Sequence, residues 1–148
     1  MIKIMLQSLM LCALLCSNVA HAKDGKSIFG KYLYSVEKMT FANGSVMGLH
    51  ELGADKVLIE FRPDMTVVMD MQMVDGSTRT STAKILSTKT TPTGGSIVEK
   101  WADMDYPVTL DYKLMPNGLS YAIRFTNPND GFRYGAVEQA VLTRLGSQ

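Results

Sequence analysis

Apolar and polar side chains alternate with a period of two through most of the chain after residue 30. Val57, Ile59 and Phe61 share one face of a predicted strand, and the charged side chains of Lys56 and Glu60 share the other. Such alternation is typical of β-strands that bury one face. The same pattern predicts further strands near residues 30–39, 65–73, 78–86, 96–101, 107–115, 119–125 and 137–145.

Turn sequences separate these strands, and Pro116-Asn117-Gly118 is the strongest hairpin signal among them. Residues 87–95, rich in Thr, Pro and Gly, are predicted to be a mobile connection, and residues 47–54 are the best place for a short helical turn. Consecutive hairpins with one apolar face each are buried most simply by a closed sheet or by two packed layers. We therefore predict an all-β, mainly antiparallel fold, an eight-stranded barrel or sandwich with short hairpin turns.

The N-terminal 22 residues have the pattern of a cleavable signal peptide. One positive charge at Lys3 precedes an apolar run over residues 4–16, and Ala20-His21-Ala22 matches the small-x-small motif of a cleavage site. The apolar run is shorter than the roughly 20 residues that a membrane-spanning helix needs. We predict an exported protein whose single domain covers residues 23–148 and starts at Lys23.

Removal of this segment changes the composition of the chain. Both cysteines, Cys12 and Cys16, leave with it, and so does His21, so that His50 becomes the only histidine. Lys and Arg fall from 15 to 14 against 14 Asp and Glu, which gives a net charge of zero. Neutrality argues against nucleic acid and against anionic lipid as partners. An exported chain without disulfides is more typical of a bacterial periplasm than of a eukaryotic secretory route.

Candidate catalytic residues are few. His50 lies beside Glu51 in a predicted loop, and the chain has no Gly-x-Ser-x-Gly motif to supply a nucleophile. Asp103 and Asp105 could form a carboxylate pair, but two acids in an extended segment are more simply interpreted as a solvated loop. A zinc site needs three or four ligands. We expect no catalytic activity, no cofactor and no zinc site.

Methionine recurs at spacing two in one predicted strand, at Met69, Met71 and Met73. Thioethers suit Cu(I), and the pattern resembles small periplasmic copper carriers that use Met-x-Met on a β-barrel near a His and a Trp. His50 and Trp101 are the residues that this resemblance implies. Because the methionine face is also the predicted interior, core packing is the preferred interpretation, and a Cu(I) carrier stays an alternative.

Gly30-Lys31-Tyr32 resembles the Gly-x-Trp motif of lipocalins, with Tyr in place of Trp. The resemblance implies that Arg144 in the last strand packs over the Tyr32 ring, and that the barrel carries a small apolar ligand. The predicted interior side chains are large, however, and could fill the barrel themselves: Tyr32, Tyr34, Phe61, Met69, Met71, Tyr112, Tyr121 and Phe125.

Two predicted loops combine aromatic and charged residues. Tyr and Arg are enriched at energetically important positions of protein interfaces, although aromatics in such loops can also cap the end of a barrel. The candidate partner-binding residues are Asn129, Asp130, Phe132, Arg133 and Tyr134 in one loop, and Asp103, Asp105 and Tyr106 in the other.

The profile as a whole is small, exported, β-rich and without catalytic residues. In this it resembles periplasmic lysozyme inhibitors and the immunity proteins paired with type VI secretion effectors. That resemblance implies a periplasmic inhibitor that binds and blocks a cell-wall-degrading enzyme, such as a peptidoglycan hydrolase. A lipocalin-like carrier of an apolar ligand is the first alternative and a Cu(I) carrier the second; the oligomeric state stays open.

Overall fold

A computed structural model of the protein describes residues 27–146. The predicted signal peptide, with Cys12, Cys16 and His21, lies outside the described residues. Within them the chain forms nine strands and one short 3-10 segment. The strands are β1 (Gly30–Thr40), β2 (Val46–Gly48), β3 (Ala54–Phe61), β4 (Thr66–Met73), β5 (Thr78–Thr91), β6 (Gly94–Trp101), β7 (Val108–Met115), β8 (Gly118–Arg124) and β9 (Val137–Arg144), and the 3-10 segment is Pro128–Arg133.

Eight of these strands close into an antiparallel barrel in the order β1-β3-β4-β5-β6-β7-β8-β9. The first and last strands complete the barrel: Tyr32 pairs with Arg144 at one end of this seam, and Thr40 pairs with Val137 at the other. The short β2 adds to the end of β1. The predicted all-β, antiparallel fold is confirmed, and closure makes it a barrel, which leaves the eight main strands without free edges.

The inward faces predicted from alternation are confirmed in most strands. The methionine face of β4 also points inward: Val67 is fully buried, and Met69, Met71 and Met73 are half-buried against the core. The predicted inward residues of β3, β7 and β8 that are buried are Val57, Ile59, Phe61, Val108, Leu110, Tyr112, Leu119, Tyr121 and Ile123, and Phe125, just beyond β8, is buried too.

Strict alternation through the predicted strand at residues 30–39 places Val36 beside Tyr32 and Tyr34 on the buried face, but its side chain is 58% exposed. The predicted alternation is therefore wrong in the second half of β1. A β-bulge explains the difference, because the pairing with β9 shifts by one residue between Tyr34 and Val36. One extra residue reverses the alternation beyond it, so Glu37 and Met39 turn inward in place of Val36.

The predicted mobile connection at residues 87–95 is also wrong. The strand β5 continues to Thr91, and β6 begins at Gly94 after a two-residue turn. Thr88 pairs with Ile97 and Thr91 with Gly94, so the segment is a regular hairpin. Threonine is β-branched and favours strands, and here this preference outweighs the turn signal of the flanking Pro and Gly.

Residues 47–54 form no helix. Val46–Gly48 is the short strand β2, and a hydrogen-bonded turn follows it, with the Leu52 N–H donating to the Gly48 carbonyl at 3.0 Å. The predicted short turn is confirmed: this hydrogen bond joins residues four apart, as in one turn of an α-helix, and the turn is not continued into a helix. Within residues 27–146 no helix is long and apolar enough to cross a membrane.

Short hairpins close one end of the barrel, and Gly118 shows how tightly they pack. The predicted turn before β8 is confirmed, since Met115 pairs with Gly118 across it. A Cβ atom on Gly118 would lie 1.8 Å from the Leu142 carbonyl oxygen. Because no side chain fits at that distance, glycine is required here by close backbone approach.

Arg144 and Tyr32 seal the same closed end, as the sequence predicted for this pair. The guanidinium carbon lies 5.0 Å from the Tyr32 ring centroid, within the range of a cation–π contact. Arg144 Nη2 donates to the Tyr32 hydroxyl at 2.6 Å and to the Ser27 carbonyl, and Nη1 donates to the Phe29 carbonyl at 3.2 Å. The ring of Phe61 meets Tyr32 edge-on at 6.0 Å.

Loss of this seal should destabilise the whole barrel. For Arg144→Ala we expect the free energy of unfolding to fall by about 3 kcal/mol, because several charge-assisted hydrogen bonds and a cation–π contact disappear together. Arg144→Lys keeps the charge but not the planar fork, so its loss should be intermediate. Urea unfolding measures both variants.

The matched control is Arg79→Ala, which removes an exposed arginine from β5 and should change stability by less than about 0.5 kcal/mol. Equal unfolding curves for Arg144→Ala and Arg79→Ala would contradict the sealing role.

Candidate binding site

The long connections of the chain all lie at the end of the barrel opposite the Arg144 seal. In an antiparallel barrel the connections alternate between the two ends, and here one end receives short turns only. We call the other end the loop end. Its connections are residues 41–53, 74–77, 102–107 and 125–136, and loops on a rigid scaffold are common places for function.

The loop end brings both groups of predicted partner-binding residues together. Asp103, Asp105 and Tyr106 lie between β6 and β7, and the other five lie between β8 and β9. The two loops meet where Arg133 Nη1 lies 4.0 Å from the Met104 sulfur. The predicted residues therefore belong to one surface.

Within that surface the predicted residues differ in exposure. Phe132 is 73% and Tyr134 51% exposed, and Asn129, Asp103 and Asp105 are exposed as well. These five are free to meet a partner. Large aromatic side chains exposed to this degree beside charged groups are typical of recognition surfaces.

Asp130 and Arg133 hold the loop together instead. Arg133 Nε donates to Asp130 Oδ1 at 2.9 Å, and the Asp130 side chain is only 3% exposed. The guanidinium of Arg133 also lies 5.3 Å from the Phe125 ring centroid and 5.8 Å from that of Phe132. Arg133 thus fixes the position of the exposed Phe132 from the inside of the loop.

Phe132 also forms one wall of an apolar groove at the loop end. Its ring lies 6.2 Å from that of Phe41, in the loop between β1 and β2. The groove has a volume of about 530 Å³. Its lining residues are Phe41, Ala42, Asn43, Ser45, Met47, Leu52 and Phe132.

Beneath the loops, the barrel interior contains a cavity of about 190 Å³. The closed half of the barrel is filled by its own side chains, as Tyr32, Phe61 and Leu119 are fully buried there. The cavity is lined by apolar, aromatic and acidic side chains, with Asp103 and Arg133 at the loops. Its other lining residues are Tyr34, Ile59, Met69, Met71, Ser81, Glu99, Trp101, Met104, Val108, Leu110, Tyr121, Ile123, Phe125 and Glu138.

Hydrogen bonds connect the polar groups of this cavity in two sets. The Tyr34 and Tyr121 hydroxyls lie 2.7 Å apart, and the Tyr121 hydroxyl donates to Glu138. The Trp101 indole N–H donates to Glu99 Oε1 at 2.8 Å. The other oxygen of Glu99, Oε2, is buried without a protein partner. Glu99 is only 1% exposed, so this oxygen is a strong unmet acceptor.

Burial changes the ionisation of the cavity acids Glu99 and Glu138 and of Glu37, which lies close to Glu138 but does not line the cavity. Burial raises the pKa of Glu99 to about 7, against the lowering effect of the Trp101 hydrogen bond. Burial and the nearby Glu138 charge raise the pKa of Glu37 to about 8. The pKa of Glu138 is raised as well, again chiefly by burial, with Tyr121 and Arg133 opposing the shift. Clusters of acids with raised pKa values are typical of functional sites.

Sequence reasoning missed these three acids. Glu99 lies between Ile97 and Trp101 at inward spacing, and Glu138 precedes Ala140 in the same way, so alternation alone could have placed both of them inside. No comparable signal existed for Glu37, whose inward position depends on the bulge in β1.

The carboxyl groups and the His50 imidazole do not form a metal site in the part of the chain that the structure describes. Among residues 27–146 no group of three or more His, Cys, Asp or Glu side chains is placed to hold a metal ion. His50 is exposed and does not line the cavity. Met69, Met71 and Trp101 do line it together, which is the part of the Cu(I) hypothesis that the geometry favours.

The acidic cavity should make stability depend on pH. Each of these carboxyls has a higher pKa in the fold than the ordinary 4.5, so the folded state binds more protons than the unfolded state above pH 4.5. Their stabilising contribution is complete below about pH 4.5 and is lost as the pH rises through 7 to 8. We expect the free energy of unfolding to fall over that window in urea titrations.

Glu99→Gln should remove much of this dependence. The variant keeps an acceptor for Trp101 but cannot ionise, so it should exceed the wild type at pH 8 by on the order of 3 kcal/mol and match it near pH 4.5. Asp111→Asn, an exposed acid on β7, serves as control. An unchanged pH slope in Glu99→Gln would contradict the assignment.

Comparison with known proteins gives no match for this chain: no family model, no curated protein and no solved structure matches it. The fold is therefore established by strand pairing within the chain. The function has to be argued from the loop end and the cavity beneath it.

Proposed function

We propose that this is an exported, non-catalytic binding protein that recognises a protein partner through its loop end. The carrying observation is the convergence of the long loops, which surround the cavity with exposed Phe132 and Tyr134 next to exposed acids. The partner class that we propose is a cell-wall-degrading enzyme, so that the protein acts as an inhibitor or immunity protein in the periplasm.

Three features support a protein partner. Phe132 and Tyr134 are rigid aromatic side chains, which lose little conformational entropy on binding. Phe132 is held from behind by Arg133 and from the side by Phe41, so part of the surface is ordered before binding, which favours affinity. The apolar groove beside Phe132 offers a depression of about 530 Å³ for a partner side chain or loop.

The proposed location depends on the sequence of residues 1–22. A short apolar run followed by Ala20-His21-Ala22 directs export, and the absence of cysteine after residue 22 suits the bacterial periplasm. Cell-wall-degrading enzymes act on peptidoglycan in that compartment. A protein that protects the cell from such an enzyme would have to meet it there.

A carrier of a small apolar ligand is the second candidate, because the barrel has an interior cavity, but the size and the lining of this cavity count against it. Its volume of about 190 Å³ is below the roughly 300 Å³ at which pockets for drug-sized ligands begin. Its buried acids also disfavour a purely apolar cargo. A Cu(I) carrier, the third hypothesis, is supported by the three methionines at the cavity, Met69, Met71 and Met104.

The double variant Phe132→Ala with Tyr134→Ala tests the proposed interface. Both side chains are exposed, so the fold should keep its thermal stability within about 0.5 kcal/mol. Removal of two aromatic hot-spot residues should weaken partner binding at least tenfold. The measurement is affinity capture from periplasmic extract and from lysates of competing bacteria, followed by inhibition assays of any captured peptidoglycan hydrolase.

The matched control variants change exposed apolar side chains outside the loop end. Leu86→Ala and Met115→Ala also remove exposed apolar side chains, 57% and 42% accessible, but both lie away from the loop end. They should leave capture and inhibition unchanged. If the double variant captures and inhibits the hydrolase as well as the wild type, the loop end is not the interface; if no hydrolase is captured, the inhibitor hypothesis is wrong.

A further inference from the structure

We propose that the cavity beneath the loops is a binding site for a compact organic cation, an ammonium or guanidinium group on a short apolar stem. This cavity lies at the loop end, where the proposed function places the interface with a protein partner. The cation site rests on the proposed function only in sharing that end of the barrel. The site is formed by Glu99 and Glu138, with Trp101 and Met69 supplying apolar walls. Glu37 does not line the cavity but lies close to Glu138.

Glu99 is the centre of the argument. A buried carboxyl group normally has partners for both oxygens. Here Oε1 accepts from Trp101 while Oε2 has no partner and the residue is 1% exposed. Because Glu99 also lines the cavity, a hydrogen-bond donor in the cavity would lie beside a carboxyl group that has one oxygen without a protein partner.

The charged groups around Glu99 determine whether a ligand that donates a hydrogen bond there should be cationic, neutral or anionic. At the cavity, β1 contributes Tyr34, β8 contributes Tyr121, and β9 contributes Glu138. Glu37 of β1 lies close to Glu138. On β5 and β7, which flank the strand of Glu99, the charged side chains of Arg79, Lys84, Asp111 and Lys113 are exposed and do not line the cavity. Burial raises the pKa of Tyr34 and Tyr121 well above 10, so both tyrosines stay neutral. The charge that can accumulate here is that of the glutamates, and it is negative. An anionic ligand would be repelled, whereas a cation would restore neutrality.

Among the described residues, Arg133 is the one cationic side chain that lines this cavity. Its charge is already paired, so it does not neutralise the glutamates of the cavity. Its guanidinium is paired with Asp130 at 2.9 Å and stacks on Phe125. Asp103, exposed at the loops, adds a further negative charge near the entrance.

The size and walls of the cavity limit the ligand. A volume of about 190 Å³ corresponds to about six water molecules, at roughly 30 Å³ each. This suits a cation of about five to eight non-hydrogen atoms. The Trp101 ring and the thioether of Met69 are suitable neighbours for its stem, since aromatic and thioether groups pack well against alkyl chains and aromatic faces attract cations.

Binding of a cation should be coupled to release of protons. The cation needs ionised carboxylates, and the cavity residue Glu99 is partly protonated near neutral pH because burial raises its pKa to about 7. Affinity should therefore rise with pH between about 5.5 and 8, because the work of deprotonation disappears above the folded pKa values. This direction is opposite to the one expected for stability without ligand.

Trp101, the single tryptophan of the chain, provides the readout, because its indole is bonded to Glu99. The purified protein is titrated with n-butylammonium, with n-propylguanidinium and with neutral n-butanol while tryptophan fluorescence is recorded. We expect saturable binding of at least one cation, at least tenfold tighter than n-butanol and tighter at pH 8 than at pH 5.5.

Glu99→Gln should reduce cation affinity at least tenfold and flatten its pH dependence, while Asp111→Asn, an acid on the outside of β7, should bind like the wild type. Equal binding of the cations and n-butanol would overturn the proposal. So would cation binding that is unchanged in Glu99→Gln, provided that its unfolding curve shows a folded protein.

Two short peptides identify the source of the cation. Acetyl-Gly-Gly-Lys-Gly-Gly-amide and its Arg counterpart present the same groups as protein side chains. Peptide binding at least as tight as that of the free cation would assign the site to a basic side chain of the partner, and exclusion of the peptides would assign it to a free amine. Because Phe132 and Tyr134 are not part of the cavity, their double variant tests the proposed function separately.

Discussion

The pairing of β1 with β9 is the constraint on which the rest of the structure depends. Without it the eight strands would form an open sheet with two free edges, and their apolar faces would have no common interior. The seam also fixes which side chains of β9 point inward. Glu138, Ala140, Leu142 and Arg144 follow one another along the inner wall, with a base at the closed end and an acid at the loop end.

That arrangement divides the interior into two chemically different halves. Around Arg144 the polar groups satisfy one another, and the surrounding side chains fill the space. Around Glu138 and Glu99 the polar groups outnumber their partners, and a cavity stays open. A buried carboxyl is tolerated at low cost only when it can become neutral, and the raised pKa values of Glu99 and Glu37 show that these acids do. The fold thus accommodates acids that contribute little to its own cohesion.

Much of this fold could be predicted from the sequence because a closed sheet of hairpins depends on local signals. Alternation predicted the positions and the inward faces of β3, β4, β7 and β8. The turn before Gly118 predicted the pairing of β7 with β8. Even the contact of Arg144 with Tyr32 could be inferred. The failures have local physical causes: an extra residue in β1 reversed the face of Val36, and a threonine-rich segment formed a strand where Pro and Gly indicated a loop.

The candidate site was harder to predict. The loop residues could be named, but sequence alone could not show that Asp130 and Arg133 pair with each other while Phe132 stays exposed. The buried acids were missed because a charged residue in a strand is by default placed outside. Alternation did contain a signal for Glu99 and Glu138, but the inward position of Glu37 depends on the bulge in β1, which is a property of the assembled sheet.

The partners of β1 change along its length, and this has a consequence for motion. From Gly30 to Leu33 it pairs with β3, but from Lys38 to Thr40 its partner on that side is the three-residue β2. Local opening is cheapest where few backbone hydrogen bonds must break. The wall of the barrel can therefore separate between β1 and β3 at the loop end while the Arg144 end stays closed. Such an opening would widen the entrance to the acidic cavity at the loop end without unfolding of the barrel.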